Sequence, residues 1–176
     1  QIVRSMMQHA SGATGKKQAV NLNEFVDEYI HLAIQTKQSQ NKQIDVEVNR
    51  FYEFNGTVNL IPQEMGRVLI NLVNNAFDAL IEKNYQKDAH YKASLNISTG
   101  QRNGTVEIIV SDNGTGVPAE VIDKIFNPFF TTKPTGSGTG LGLSLSYDIV
   151  TQGHNGTLQV ESEEGQGASF IIKLPV

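Results

Sequence analysis

Cysteine and tryptophan are both absent from this 176-residue chain. No apolar run approaches the roughly eighteen residues that a membrane span needs. Without cysteine there is no disulfide framework, thiol nucleophile or cysteine-ligated zinc, although the absence assigns no redox compartment. Positive charge is also in short supply. Lys and Arg number 14 against 18 Asp and Glu, a net charge of −4, which argues against a nucleic-acid partner because such proteins present a basic face. No signal peptide, internal repeat or low-complexity tract is evident. What remains is ordinary for one globular domain: 39% hydrophobic and 18% charged residues, enough chain to bury a core. Because the chain opens on Gln1, we expect a fragment of a longer parent, cytoplasmic itself, with room for a membrane anchor elsewhere in that parent.

Ile2, Val3, Met6, Met7 and Ala10 recur at helical spacing, and S-G-A-T-G-K-K-Q then breaks the pattern. We expect a helix end over 1–12, a linker over 13–20 and one domain over 21–176. Asn21, with Glu24 three residues on, opens a second helix as a loose capping box. Its apolar stripe of Leu22, Phe25, Val26, Tyr29 and Leu32 fades after Lys37. Residues 44–50 and 57–61 alternate as strands, and Pro62 suits the first turn of a long helix to about residue 83. Two β-prone runs, 91–100 and 105–111, flank Asn103-Gly104, a strong hairpin signal. A short helix near 119–125, a loop to Gly140, a helix over 141–152 and a hairpin of 157–162 with 168–174 complete the chain. Strands and helices mix without strict alternation, which predicts an α+β, two-layer sandwich with helices on one face of a sheet.

Four stretches carry chemistry. In N-L-V-N-N-A-F-D-A (71–79) the core stripe runs through Met65, Leu69, Leu72, Ala76 and Leu80, with Asn71, Asn75 and Asp78 in a polar row along its edge. Three asparagines within five positions weaken a helix, yet an Asn carbonyl oxygen is a hard ligand of the kind magnesium accepts beside phosphate. D-N-G-T-G (112–116) puts an acidic acceptor at a strand end, with Gly114 and Gly116 free to approach a ligand or take positive φ. It is equally ordinary turn chemistry. I-F-N-P-F-F-T-T-K (125–133) gathers three phenylalanines before two hydroxyls and a lysine, more aromatic surface than a loop leaves unburied. G-S-G-T-G-L-G-L (136–143) runs into an apolar helix, and its free amides suit phosphate. It is not a Walker A loop, since Leu141-Gly142 follows Gly140, nor a dinucleotide fingerprint, since the spacing is wrong and no strand precedes it.

Taken in this order, the four stretches resemble the catalytic and ATP-binding domain of two-component sensor histidine kinases, within the superfamily of gyrase, Hsp90-type chaperones, histidine kinases and MutL. They look like its N box, first glycine box, F box and second glycine box, and G-Q-G-A-S-F-I-I-K-L-P resembles its final hairpin. The resemblance runs from about Asn21 to the end of the chain. It implies the Bergerat-type fold, a mixed sheet packed against helices with a lid over the nucleotide, and ATP and Mg²⁺ as cofactors. Carried across, Asn75 would ligate Mg²⁺, Asn71 would lie near the phosphates and Asp112 would accept from the adenine amine. Asp78, Gly114, Gly116 and Val117 would shape the pocket. The lid would span 126–140, with Phe126, Thr131, Thr132 and Lys133 facing the nucleotide and Lys133 reaching a phosphate. Gly138, Thr139, Gly140, Leu141, Gly142 and Leu143 would wrap the phosphates, and Ser169 would stand near the base. The resemblance thus gives Asn71, Asn75 and Lys133 the catalytic roles.

Hydrolysing members of the superfamily carry a glutamate four residues before the magnesium asparagine. Here Asn71 stands there and cannot take up a proton at neutral pH, so we expect phosphoryl transfer with little hydrolysis. The phosphoacceptor of the resembled family is a histidine on a dimerising hairpin. None of His9, His31, His90 and His154 fits its pattern, and residues 1–12 look like the end of the second hairpin helix. The expected partners are therefore that hairpin, supplied by the parent, and a response-regulator receiver domain. The expected parent is a homodimer, and the fragment a monomer that binds Mg·ATP without labelling itself. Two alternatives stay open here: an ATP-hydrolysing gyrase- or chaperone-type module, and a silent nucleotide-sensing scaffold.

Overall fold

The computed structural model describes residues 15–41, 44–86 and 88–176. The helix end expected over 1–12 lies outside these. Overlapping the end of the stretch expected to be linker, Gln18–Asn21 forms strand β1. It pairs antiparallel with β3, Thr57–Leu60, as a separate two-stranded ribbon. Asn21 then starts helix α1, Leu22–Gln40: its Oδ1 accepts from the Glu24 backbone amide, and its side-chain Nδ2 donates to the Glu24 carboxylate. The N-cap half of a capping box is in place, but the reciprocal bond comes from the Asn21 side chain rather than its backbone amide.

The main sheet has five strands in the order β2-β4-β5-β7-β6. They are β2 (Val46–Tyr52), β4 (Ala93–Arg102), β5 (Thr105–Asp112), β6 (Thr157–Glu163) and β7 (Gly167–Pro175). β2 runs parallel to β4, and every other pairing is antiparallel, so the sheet is mixed. Asn103 and Gly104 take φ of 51° and 74° between β4 and β5, which is the double left-handed conformation a two-residue hairpin turn requires.

Helix α2, Pro62–Asn84, crosses the inner face of the sheet. Met65, Leu69, Leu72, Ala76 and Leu80 are all at most 4% exposed, as the 3.6-residue period demands. They meet the inward alternation of β4 and β5, where Leu95, Ile97, Val106 and Ile108 are fully buried. Helix α1 lies beside α2, and a Cβ on Gly66 would fall 2.1 Å from the Tyr29 ring, so glycine permits that close approach.

The last helix differs from its expected form. Regular α-helix (α3) covers only Gly142–Asp148 and continues as a wider π-turn over Ile149–Gly153. The next residue, His154, is 3% exposed. Its Nε2 accepts from the Ile61 amide at 2.9 Å, and its Nδ1 lies 2.9 Å from the Ile149 carbonyl. That pairing selects the Nδ1-protonated tautomer and ties the start of α2 to the end of α3. The short helix expected near 119–125 is reduced to one 3₁₀ turn, Ile122–Lys124. The amides of Val121, Lys124 and Asn127 each reach back three residues, so no α-helical ladder starts. No helix among the described residues is long and apolar enough to cross a membrane.

Candidate functional site

The polar row of α2 sits at the boundary between core and solvent, with Asn71, Asn75 and Asp78 all half-buried. Asn71 Nδ2 donates to Ser146 Oγ of α3 at 3.0 Å, and Ser146 is 2% exposed. A Cβ on Gly142 would stand 2.4 Å from Asn71 Oδ1. Glycine therefore lets the second glycine-rich stretch lie against the first asparagine of the row, where any side chain would have to displace the Asn71 amide. The Asn75 amide enters none of the hydrogen bonds that hold Asn71 and Asp78.

Asp78 gathers two ammonium groups. Lys37, from α1, reaches it at 2.8 Å, and Lys133 pairs with its other oxygen. Burial pushes this carboxyl up, but the hydrogen bonds and charges of Lys133 and Lys37 outweigh it, so its pKa lies below the ordinary value. Just beyond Asp78, the Ala79 backbone would lie 2.7 Å from a Cβ on Gly114, so D-N-G-T-G abuts the far end of the row.

Asp112 ends β5 with 7% exposure. Its side chain projects into the helix-covered face, in step with Val106, Ile108 and Val110. Burial pushes its carboxyl up to about 6, against hydrogen bonds from the Gly114 and Ala168 amides and the charge of Lys83. The Gly114 amide donates at 2.8 Å. Gly116 takes φ 69°, and a Cβ there would lie 2.3 Å from the Glu163 carbonyl oxygen. Val117 packs on the core, while its amide donates to Ser162 Oγ at 2.8 Å.

Over these elements runs the loop 126–141. Phe126 packs on Tyr147 with ring centroids 5.3 Å apart and edge-on to Phe170 at 6.5 Å. Phe130 also packs against the core, whereas Phe129, at φ 65°, stays 60% exposed. Two of the three phenylalanines therefore anchor the loop. Thr131 and Thr132 are exposed, and Thr131 Oγ1 accepts from the Lys133 amide at 3.1 Å. Gly138 and Thr139 are exposed too, and Thr139 Oγ1 accepts from the Leu141 amide at 3.3 Å. Gly140 has φ 67°, and a Cβ there would collide with the Phe129 backbone at 2.4 Å. Leu141, Gly142 and Leu143 are half-buried, with Leu143 against the core.

Ser169 is not brought to this site. It pairs with Ser111 across β7 and β5, the two hydroxyls 2.7 Å apart. Its neighbours Ala168 and Phe170 are buried while Ser169 itself is half-exposed, so its side chain lies on the sheet face opposite to Asp112. The residue facing Asp112 in register is Ala168. The alternation of Phe170, Ile172 and Leu174 carried that signal.

Sequence reasoning also missed Lys37, Ser146 and Lys83. Lys83 Nζ donates to the carbonyls of Asn113 at 3.1 Å and Gly165 at 2.7 Å and sits 4.9 Å over the Tyr91 ring. It thereby clasps the Asp112 end of the groove. The Lys37 and Ser146 contacts join residues 41 and 75 positions apart, for which no local pattern exists.

The family described as Histidine kinase-, DNA gyrase B-, and HSP90-like ATPase matches residues 60–176. Sensor histidine kinase ZraS of Escherichia coli (strain K12) is 35% identical over 159 residues, covering 90% of this chain and 31% of that protein. Sensor kinase CckA of Brucella abortus (strain 2308) is 43% identical over 115 residues, 62% of this chain and 12% of that protein. The chain thus spans about a third or less of the curated relatives it matches. Among solved structures, a nucleotide-free catalytic domain of histidine kinase ThkA superposes with a TM-score of 0.73 at 30% identity, covering 91% of this chain and 95% of that one. An ordered N row, a glycine-bordered buried aspartate and a glycine-rich stretch seated on Asn71 sit on a mixed sheet shared with that domain, and the chain belongs to the histidine kinase-, DNA gyrase B- and HSP90-like ATPase family, with the fold of a histidine kinase catalytic domain.

Proposed function

We propose that the chain binds Mg·ATP along the polar edge of α2 and serves as the phosphoryl-donating domain of a two-component sensor histidine kinase. The observation that carries this reading is the placement of Asp112. It is a buried carboxylate, one oxygen held by the Gly114 amide, standing where the α2 row ends. From Asn71 to Ala79 the helix rises about 12 Å at 1.5 Å per residue, the extent of a nucleoside triphosphate laid along it.

The residues fit both groups. Asp112 offers an acceptor to a base amine in a site sheltered from water, where such a bond gains strength. Asn75 offers a hard carbonyl oxygen of the kind Mg²⁺ takes alongside phosphate and water. The cradle at Gly142, which a Cβ would fill, leaves backbone open toward the row, and the resemblance puts the phosphates there. Bound Mg·ATP supplies the transferable phosphoryl group and the cation that offsets its charge. The chain's own residues hold and orient: Asp112 at the base, Asn71 and the 138–143 backbone at the phosphates, Asn75 at the metal, and Lys133 from the loop. None of these phosphate-side groups is a base for water. Asn71 is fixed by Ser146 and has no proton affinity to offer, which favours transfer to a separate acceptor over hydrolysis. That acceptor is a histidine on the parent's dimerising hairpin, from which a response-regulator receiver domain would take the phosphoryl group.

Titration calorimetry with a non-hydrolysable ATP analogue, with and without Mg²⁺, tests the site. Micromolar-range binding that Asp112→Ala abolishes, and whose Mg²⁺ dependence Asn75→Ala removes, is the expected result. A wild type that binds nothing would instead favour a silent scaffold. Steady turnover of ATP by the isolated chain would favour the hydrolysing alternative. Radiolabel on a histidine of a supplied hairpin, and on none of this chain's own, completes the reading.

A further inference from the structure

The Asp78 cluster has a composition that a simple surface ion pair does not need. One half-buried carboxylate holds two lysines from different parts of the chain. Lys37 comes from the last turn of α1, and its side chain is only 17% exposed. Lys133 comes from an exposed loop, and its side chain is 34% exposed. Gly138 packs over its stem, since a Cβ there would lie 3.1 Å from Lys133 Cδ. The pair therefore pins both the Thr131–Thr132 turn and the start of the glycine-rich stretch to α2. Asp78 also follows Asn75 by three residues, about 4.5 Å along the helix, so the Lys133 ammonium rests one turn from the proposed metal ligand.

We propose that Asp78 is the resting partner of the loop lysine, and that Lys133 moves from Asp78 to the terminal phosphate when nucleotide binds while Lys37 stays behind as the counter-ion of Asp78. The proposal rests on the nucleotide reading above and adds a positioning role for two residues, Asp78 and Lys37. Its physical basis is the second lysine. Taking the sole partner from a half-buried carboxylate leaves an uncompensated charge, which is strongly unfavourable. With Lys37 still at 2.8 Å, Asp78 remains paired and the transfer of Lys133 becomes an exchange between two anions. The phosphates carry the larger charge, so they win the exchange, and the loop follows its lysine.

Two measurements test this. The first is amide hydrogen exchange over residues 131–138 in the nucleotide-free protein. Asp78→Asn and Lys133→Met should each speed exchange about two- to fivefold, the factor a partly exposed ion pair supports. The double variant should be no faster than either single one, and Asp78→Glu should restore slow exchange. Unchanged exchange in Asp78→Asn would overturn the proposal. The second is calorimetry with Mg²⁺ and a non-hydrolysable ATP analogue, with ADP as the comparison. Asp78→Asn should bind the ATP analogue about two- to fivefold tighter by freeing Lys133, with a smaller change for ADP. Lys37→Met and Lys133→Met should both bind the analogue more weakly. Faster loop exchange in Asp78→Asn without tighter analogue binding would show that Asp78 holds the loop but does not compete with phosphate, and the exchange mechanism would fall. A wild type that binds no nucleotide defeats the site reading itself. That failure is distinguishable, because the loop measurement is made with no ligand present.

Discussion

Replacing Asp112 by asparagine should make the protein more stable while disabling its proposed nucleotide site. The carboxyl is 7% exposed and its pKa is pushed up to about 6 by burial, from an ordinary 3.8. In the folded state it therefore binds its proton more tightly than in the unfolded chain. Folding stability from this group is fully present below about pH 4 and is lost as pH rises through 6. At about 1.4 kcal/mol per pH unit, the complete loss amounts to about 3 kcal/mol at pH 8. Asparagine has nearly the same shape and keeps an oxygen for the Gly114 and Ala168 amides, but it cannot ionise. Asp112→Asn should thus be about 2–3 kcal/mol more stable than wild type at pH 8, a rise of about 5–10 °C in Tm. The difference should shrink to about half by pH 5. Urea unfolding of both proteins across this range isolates the group, because every other titration is common to the two. Calorimetry of the same samples should show nucleotide affinity reduced about tenfold or more, from loss of a charge-assisted acceptor. An Asp112→Asn protein no more stable than wild type at pH 8, or a difference that does not vary with pH, would refute the reasoning.

Further substitutions probe the frame around that site. His154→Ala should destabilise by about 2–4 kcal/mol in denaturant unfolding, because it strands the Ile61 amide and the Ile149 carbonyl. Leu72→Ala, at a fully buried position under the N row, should cost about 2–5 kcal/mol by the same assay. Gly142→Ala drives a Cβ into the Asn71 side chain. It should lose about 1–3 kcal/mol of stability yet weaken ATP-analogue binding far more than that loss alone would, as thermal melts and calorimetry on one sample will show. Ser169→Ala, on the outer sheet face, should leave analogue affinity unchanged within error. A clear loss would return Ser169 to the site.

The local features of the fold were written in local patterns. The N-cap at Asn21, the Pro62 start of α2, the Asn-Gly hairpin at 103–104 and the five-residue core stripe of α2 each follow from short-range sterics and periodicity, and each stands where the sequence put it. The four motifs singled out Asn71, Asn75 and Asp112 through resemblance in an ordered set, and the fold sets the two asparagines on one edge of α2 and Asp112 at the end of β5. Pairing across the chain was not legible. Nothing in residues 13–20 announces a strand whose partner is β3, some forty positions later, since a four-residue edge gains its hydrogen bonds only from that partner. Ser169 shows the opposite failure. The alternation of β7 assigned it to the outer face, and a motif-based assignment overrode that signal. The tertiary structure alone decided which charges meet. It brought Lys37 and Lys133 to one carboxylate, set Ser146 on Asn71 and laid Lys83 across the Asp112 end. Such contacts depend on how α1, α3 and the loop lie on the sheet, and the packing of apolar faces that fixes those positions leaves no trace at the polar residues it brings together.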